Sequence, residues 1–206
     1  MTSHIVGGVF GILVLVLCAV FGALRKNYSG VVSGVIYGAM MIFLYSVSAI
    51  YHGLKSEMPK KVFQVLDHCT IYALILGTYM PILMTGIRKQ HPTLFLVYII
   101  VLPIITAFGV TFTAIDFHKY APIAMSCYFI VGWCALFAFK PMMLTYGIRF
   151  LFWLLIGGIA YTAGMIFFKM GITKKYMHSV FHLFILAGSI LQFVGIFKYC
   201  ILIKPV

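Results

Sequence analysis

Residues 177–200 read MHSVFHLFILAGSILQFVGIFKYC, a run without an acidic residue and with one lysine, Lys198, close to its end. About 20 helical residues cross a hydrocarbon core of about 30 Å. Inside such a core every backbone N–H and C=O must be paired within the segment, so a run of this kind is a helix. Its polar residues are as informative as its apolar ones. His178 and His182 stand four apart near its start, the spacing that stacks two side chains on one helix face, and Ser189 and Gln192 continue the same stripe. The stripe is expected to face inward.

The rest of the chain repeats the pattern. Further apolar runs cover approximately 4–24, 31–53, 67–87, 93–115, 122–139 and 148–168, separated by Arg25-Lys26-Asn27, Lys55 to Lys61 with Pro59, Arg88 to Pro92, Asp116 to Lys119, Lys140-Pro141, and Lys169 to Lys175. Pro103 falls mid-span and is expected to kink the fourth run. Of the 206 residues 64% are hydrophobic and 9% charged, with three acidic side chains in all. A soluble domain carries about 25% charged residues, so a soluble enzyme, a disordered tail and a disulfide scaffold are all excluded. The reading is all-α: a polytopic membrane protein whose seven-transmembrane-helix bundle forms one domain over residues 1–206. The first run has no basic residues before it, and Arg25 and Lys26 follow it, so it reads as a retained span rather than a signal peptide.

A net charge of +12 raises the question of nucleic acid, but the 15 Lys and Arg sit singly or in pairs between apolar runs. They form no basic stripe interleaved with exposed aromatics, so no nucleic-acid partner is expected. Charges at span ends facing lipid headgroups account for them. The five cysteines, Cys18, Cys69, Cys127, Cys134 and Cys200, form no CxxC and suggest neither a disulfide framework nor a zinc ribbon.

With seven spans the termini lie on opposite sides. The side of the N-terminus holds seven Lys or Arg and the other side eight, so the positive-inside rule returns no orientation. The acids and histidines are asymmetric instead. Glu57, Asp67 and Asp116 fall at or near the N-terminal side, as do His4, His52, His68, His118, His178 and His182; His91 alone is opposite. Ionisable residues at membrane depth are costly and usually face a bundle interior. One polar site near that side is expected.

His52 closes the second run with Ser48 one turn before it, Asp67 opens the third, and His178 and His182 open the seventh. Three helices thus bring these groups to one depth. Three imidazoles and a water form the ligand set of a catalytic zinc site. A nearby carboxylate can orient a ligand histidine or take a proton from the water, whose pKa falls to about 7 on zinc. The chemistry would be hydrolysis of an amide or ester near headgroup level. An HxxxH pair alone is a weak motif, and the weight comes from His52, Ser48 and Asp67 at matching depth. A haem fits less well, because His178 and His182 share a helix face and cannot ligate one iron from opposite sides.

Other features read as structural. Gly30, Gly34 and Gly38 have the small-xxx-small spacing of close helix contacts, and His52 lies on the same face, which favours its pointing into the bundle. The 12 methionines and the aromatic stripes read as lipid-facing bulk and interfacial belts. His68, Asp116 and His118 read as loop-proximal polar residues, reserve ligands at most.

Three blocks, Ser48-Ala-Ile-Tyr51-His52, Leu66-Asp67-His68-Cys-Thr-Ile-Tyr72 with Gly77-Thr78-Tyr79-Met-Pro81, and His178-Ser-Val-Phe-His182-Leu-Phe, resemble the hemolysin III family, the bacterial branch of the progestin and adipoQ receptor group. The similarity extends over nearly the whole chain. It implies a seven-helix bundle with a cytoplasmic N-terminus and a zinc ion near the cytoplasmic leaflet. His52, His178 and His182 would be its ligands, Asp67 would hold the zinc-bound water, and Ser48 would support the site. The apolar run begins almost at Met1, so the soluble segment that precedes the first span in many relatives is expected to be short or missing here.

The leading expectation is a zinc-dependent hydrolase of a membrane lipid amide or ester, or a regulator of lipid homeostasis descended from one, in the cell membrane. The alternatives are a receptor-like membrane sensor with structural zinc and a pore-forming cytolysin. The absence of an amphipathic insertion segment speaks against the pore.

Overall fold

A computed structural model describes residues 2–116, 119–171, 174 and 176–203; of Thr2 and His178 it describes the backbone alone. Among the described residues seven helices are long and apolar enough to cross a bilayer. They are α1 (Thr2–Leu24), α2 (Tyr28–Gly53), α3 (Glu57–Gln90), α4 (Pro92–Ile115), α5 (Ala121–Tyr146), α6 (Ile148–Met170) and α7 (Met177–Ile196, continued by a π turn over Phe197–Ile201). Consecutive helices pack against each other at α1–α2, α2–α3, α4–α5 and α6–α7, and α7 returns against α1 and α3. Of the seven, α3 is the most buried and α2 the next, so the bundle is organised around them.

Two helix ends lie well beyond the apolar runs, both at prolines. The segment 55–61 is expected to be a connection, yet α3 begins at Glu57 with Pro59 in its first turn. A helix leaves its first four N–H groups unpaired, so a proline there loses no bond. Asp67 therefore sits about three turns inside α3 rather than at its start. Likewise the fifth helix does not stop at Lys140-Pro141. It tightens to a 3-10 turn over Cys134–Ala138 and runs on to Tyr146. Pro141 has no N–H to give the carbonyl four residues before it. Pro103 lies within the unbroken helix Pro92–Ile115.

Side-chain hydroxyls tie the irregular places together, since a hydroxyl or carbonyl left unpaired at this depth would be costly. Tyr79 donates to Val131 O at 2.9 Å and Tyr98 to Cys134 O at 2.6 Å, both beside the 3-10 turn of α5. Beside the π turn Leu83–Ile87 of α3, Thr85 donates to Pro81 O at 2.7 Å and Tyr146 to Ile82 O.

On the side away from the N-terminus, Asn27 locks the α1–α2 turn to the end of α7. Its Oδ1 caps α2 by accepting from Gly30 N at 2.9 Å, while its Nδ2 donates to Cys200 O at 2.8 Å and Ile201 O at 3.2 Å. Gly34 and Gly38 serve close helix contact as their spacing suggests. A Cβ on Gly38 would come within 2.6 Å of Leu15 Cβ on α1. Gly30 has another neighbour, the capping side chain of Asn27.

Candidate metal centre

Three imidazoles from three helices converge near the N-terminal side: His4 of α1, His52 of α2 and His182 of α7. The His4 ring stacks on His52 with centroids 4.9 Å apart and meets the His182 ring edge-on at 4.1 Å. His52 and His182 lie 5.3 Å apart at 83°. One ligand atom from each falls within 4.8 Å of the other two. Nitrogens around a tetrahedral zinc at 2.0–2.1 Å stand about 3.3 Å apart, somewhat closer than the 4.8 Å within which these ligand atoms lie. The donor set fits the metal: neutral imidazole is a preferred zinc ligand.

The register of the helices explains this convergence. Tyr45 and Ser189 share a hydrogen bond at 3.1 Å, and Tyr161 of α6 reaches the same Ser189 hydroxyl at 2.9 Å. Ser189, fully buried, also donates to Ile185 O at 3.0 Å. Because α2 and α7 run antiparallel, a step of two turns along each from the Tyr45–Ser189 contact arrives at His52 and His182.

Between α1 and α2 the glycines of α1 do the same. A Cβ on Gly11 would lie 2.9 Å from Ile42 Cγ1, and one on Gly7 would overlap the Tyr45 ring. One further turn toward the N-terminus puts His4 opposite Ser48 and Ala49, within reach of His52.

Ser48 is buried and its hydroxyl lies near the carboxylate of Asp67, which is half-buried with Tyr51 and Tyr128 nearby. Asp67 is not one of the groups that converge with the imidazoles; its link to them runs through Ser48, one turn from His52. A groove of about 250 Å³ opens between α1 and α2 toward the lipid side. Ile5, Val9, Ile12 and Ala49 line it, and His4 and Tyr45 form part of its wall.

Among the expected site residues, the structure thus brings His52 and His182 together, and Ser48 and Asp67 beside each other. His178 belongs to α7 by its backbone, and its side chain lies outside the described residues, as does all of His118. His68 and Asp116 have other work. His68 Nδ1 bonds Gln64 O at 2.8 Å, and Asp116 Oδ1 accepts from Lys119 N at 2.9 Å in the α4–α5 connection. The five cysteines are free. His4 is the residue that span-end reasoning passes over. The signal for it lies in Gly7 and Gly11, which read as a contact face once α2's own glycines are noticed.

The family described as haemolysin-III related matches residues 1–193. The chain is 32% identical to Hemolysin-3 of Bacillus cereus over 96% of its own length and 88% of that protein. It is 29% identical to the Hemolysin-3 homolog of Bacillus subtilis (strain 168), covering 97% and 92% of the two chains. With the human Monocyte to macrophage differentiation factor it shares 26% identity over 80% of this chain and 68% of that one. A seven-helix bundle with an imidazole cluster at one end and similarity along almost its whole length make this chain a multi-pass membrane protein of the haemolysin-III related family.

Proposed function

We propose that this protein is a zinc-dependent hydrolase acting on the amide or ester of a membrane lipid. The observation that carries the reading is the convergence of imidazoles from separate helices near a buried Ser48 and a half-buried Asp67, next to a groove facing lipid. His52 and His182 hold the metal, together with His178, four residues before His182 on α7. When bound, zinc supplies Lewis acidity and lowers the pKa of a water. The chain's residues do the rest. The groove admits an acyl chain laterally and leaves its carbonyl at the level of the histidines. Ser48 holds the Asp67 carboxylate in one orientation, and Asp67 accepts a proton from the attacking water. As the water oxygen bonds to the acyl carbon, the C–N or C–O bond breaks and the proton passes to the leaving group. The N-terminus faces the cytoplasm in this reading.

One observation favours a second reading, a membrane sensor with structural metal. His4 adds an imidazole to the cluster, and a shell filled by protein ligands leaves no position for water. Metal analysis of detergent-purified protein, wild type beside His52→Ala, together with lipid amide and ester turnover in bilayers, separates the readings. One zinc per chain, lost in the variant, with turnover that follows metal content, supports the hydrolase. Stoichiometric metal without turnover supports the sensor. No metal in folded wild type after zinc resupply overturns both.

A further inference from the structure

We propose that His4 is itself a metal ligand, so that the first span contributes to the centre and the metal joins α1 to α2 and α7. This rests on the metal-site reading above and goes beyond its ligands His52, His178 and His182.

Three independent features place His4 there. It is 2% exposed although it stands near the start of a helix whose residues Ile5 and Val9 are 52% and 62% exposed. It touches both other imidazoles at ring distance, and its ligand atom lies within 4.8 Å of theirs. Its depth is fixed by close packing of the two helices, since Gly7 and Gly11 seat α1 against Tyr45 and Ile42.

The consequence concerns the groove as well. His4 forms part of its wall, so an acyl chain lying along Ile5, Val9 and Ile12 has the metal at its polar end.

Replacing His4 with cysteine and loading the purified protein with cobalt(II) tests the ligand directly. His4→Cys should show a sulfur-to-cobalt charge-transfer band that is absent from wild type and from Val9→Cys, a control on the lipid-facing side of the same helix. His4→Ala should weaken zinc binding by more than about 100-fold, beyond the 10–100-fold typical for loss of an outer partner. Full cobalt occupancy in His4→Cys without the band overturns the proposal and leaves the metal-site reading standing; failure of wild type to bind any metal overturns that reading itself. Should the cysteine variant not fold, His4→Asp should keep metal and His4→Leu should lose it, and equal retention by both overturns the proposal.

Discussion

The hydroxyls of Tyr45 and Ser189 lie 3.1 Å apart in the interior of the bundle, two turns from the point where His52 and His182 meet at the end of the same two helices. This contact sets the rotation and register of α2 against α7. The two substitutions that break it should differ. Tyr45→Phe leaves Ser189 with Tyr161 and Ile185 O, and should cost about 0.6 kcal/mol, the usual size for a side-chain hydrogen bond between membrane helices. Ser189→Ala strands two tyrosine hydroxyls and should cost about 1–3 kcal/mol for each left unpaired. Thermal unfolding in detergent should rank Ser189→Ala clearly below Tyr45→Phe; the reverse order would mean that the tyrosines find other partners.

Gly7 and Gly8 provide a paired test of how α1 is seated. A Cβ on Gly7 would collide with the Tyr45 ring, whereas one on Gly8 has its nearest neighbour at 4.0 Å. Gly7→Val should therefore push α1 from α2, costing about 1–3 kcal/mol as an overpacked contact does. Gly8→Ala should be neutral or slightly stabilising through its helix propensity. Metal retention by Gly7→Val at the wild-type level would show that the position of α1 is immaterial to the centre.

The sequence makes the depth of His52 and His182 legible, because span ends count residues from the aqueous side and an i, i+4 pair needs only helical geometry. His4 is not legible that way. Its place depends on how closely α1 and α2 approach, a property of Gly7 and Gly11 seen together with Tyr45 and Ile42. Helix rotation is hidden for a related reason. In lipid both faces of a span are apolar, so hydrophobic periodicity does not separate the inward face from the outward one. That is why the tyrosine hydroxyl contacts with α5 emerge only in three dimensions. The early start of α3 and late end of α5 escape because Pro59 and Pro141 look like breaks, while Pro59 falls where no N–H bond is lost and Pro141 follows a 3-10 turn.

Asn27 should matter for stability and not for the metal. Asn27→Ala removes the α2 cap and the donor to Cys200 O and Ile201 O, with an expected loss of about 1–3 kcal/mol. Asn27→Asp keeps an acceptor for Gly30 N but sets a carboxylate oxygen against those carbonyls, and should be at least as damaging. Both substitutions are at the opposite end of α2 from His52, so under the proposed metal-site reading the folded fraction should bind zinc as wild type does. A metal-affinity titration beside a melting curve checks the separation.

Asp67 and Ser48 should separate catalysis from metal retention. Asp67 is not among the converging imidazoles, so Asp67→Asn should keep the metal while losing the group that takes the proton from water. Loss of a positioned general base costs about 100- to 10,000-fold in rate. Ser48→Ala removes the neighbouring hydroxyl that orients Asp67 in the proposed site and should lower turnover less, since the carboxylate itself survives. Combining the two should add little to Asp67→Asn alone, because the serine acts through the carboxylate. Turnover of a lipid amide or ester, measured with zinc content on the same samples, decides the point. Metal loss in Asp67→Asn would instead make the carboxylate a ligand, while full additivity of the two substitutions would give Ser48 a role of its own at the substrate.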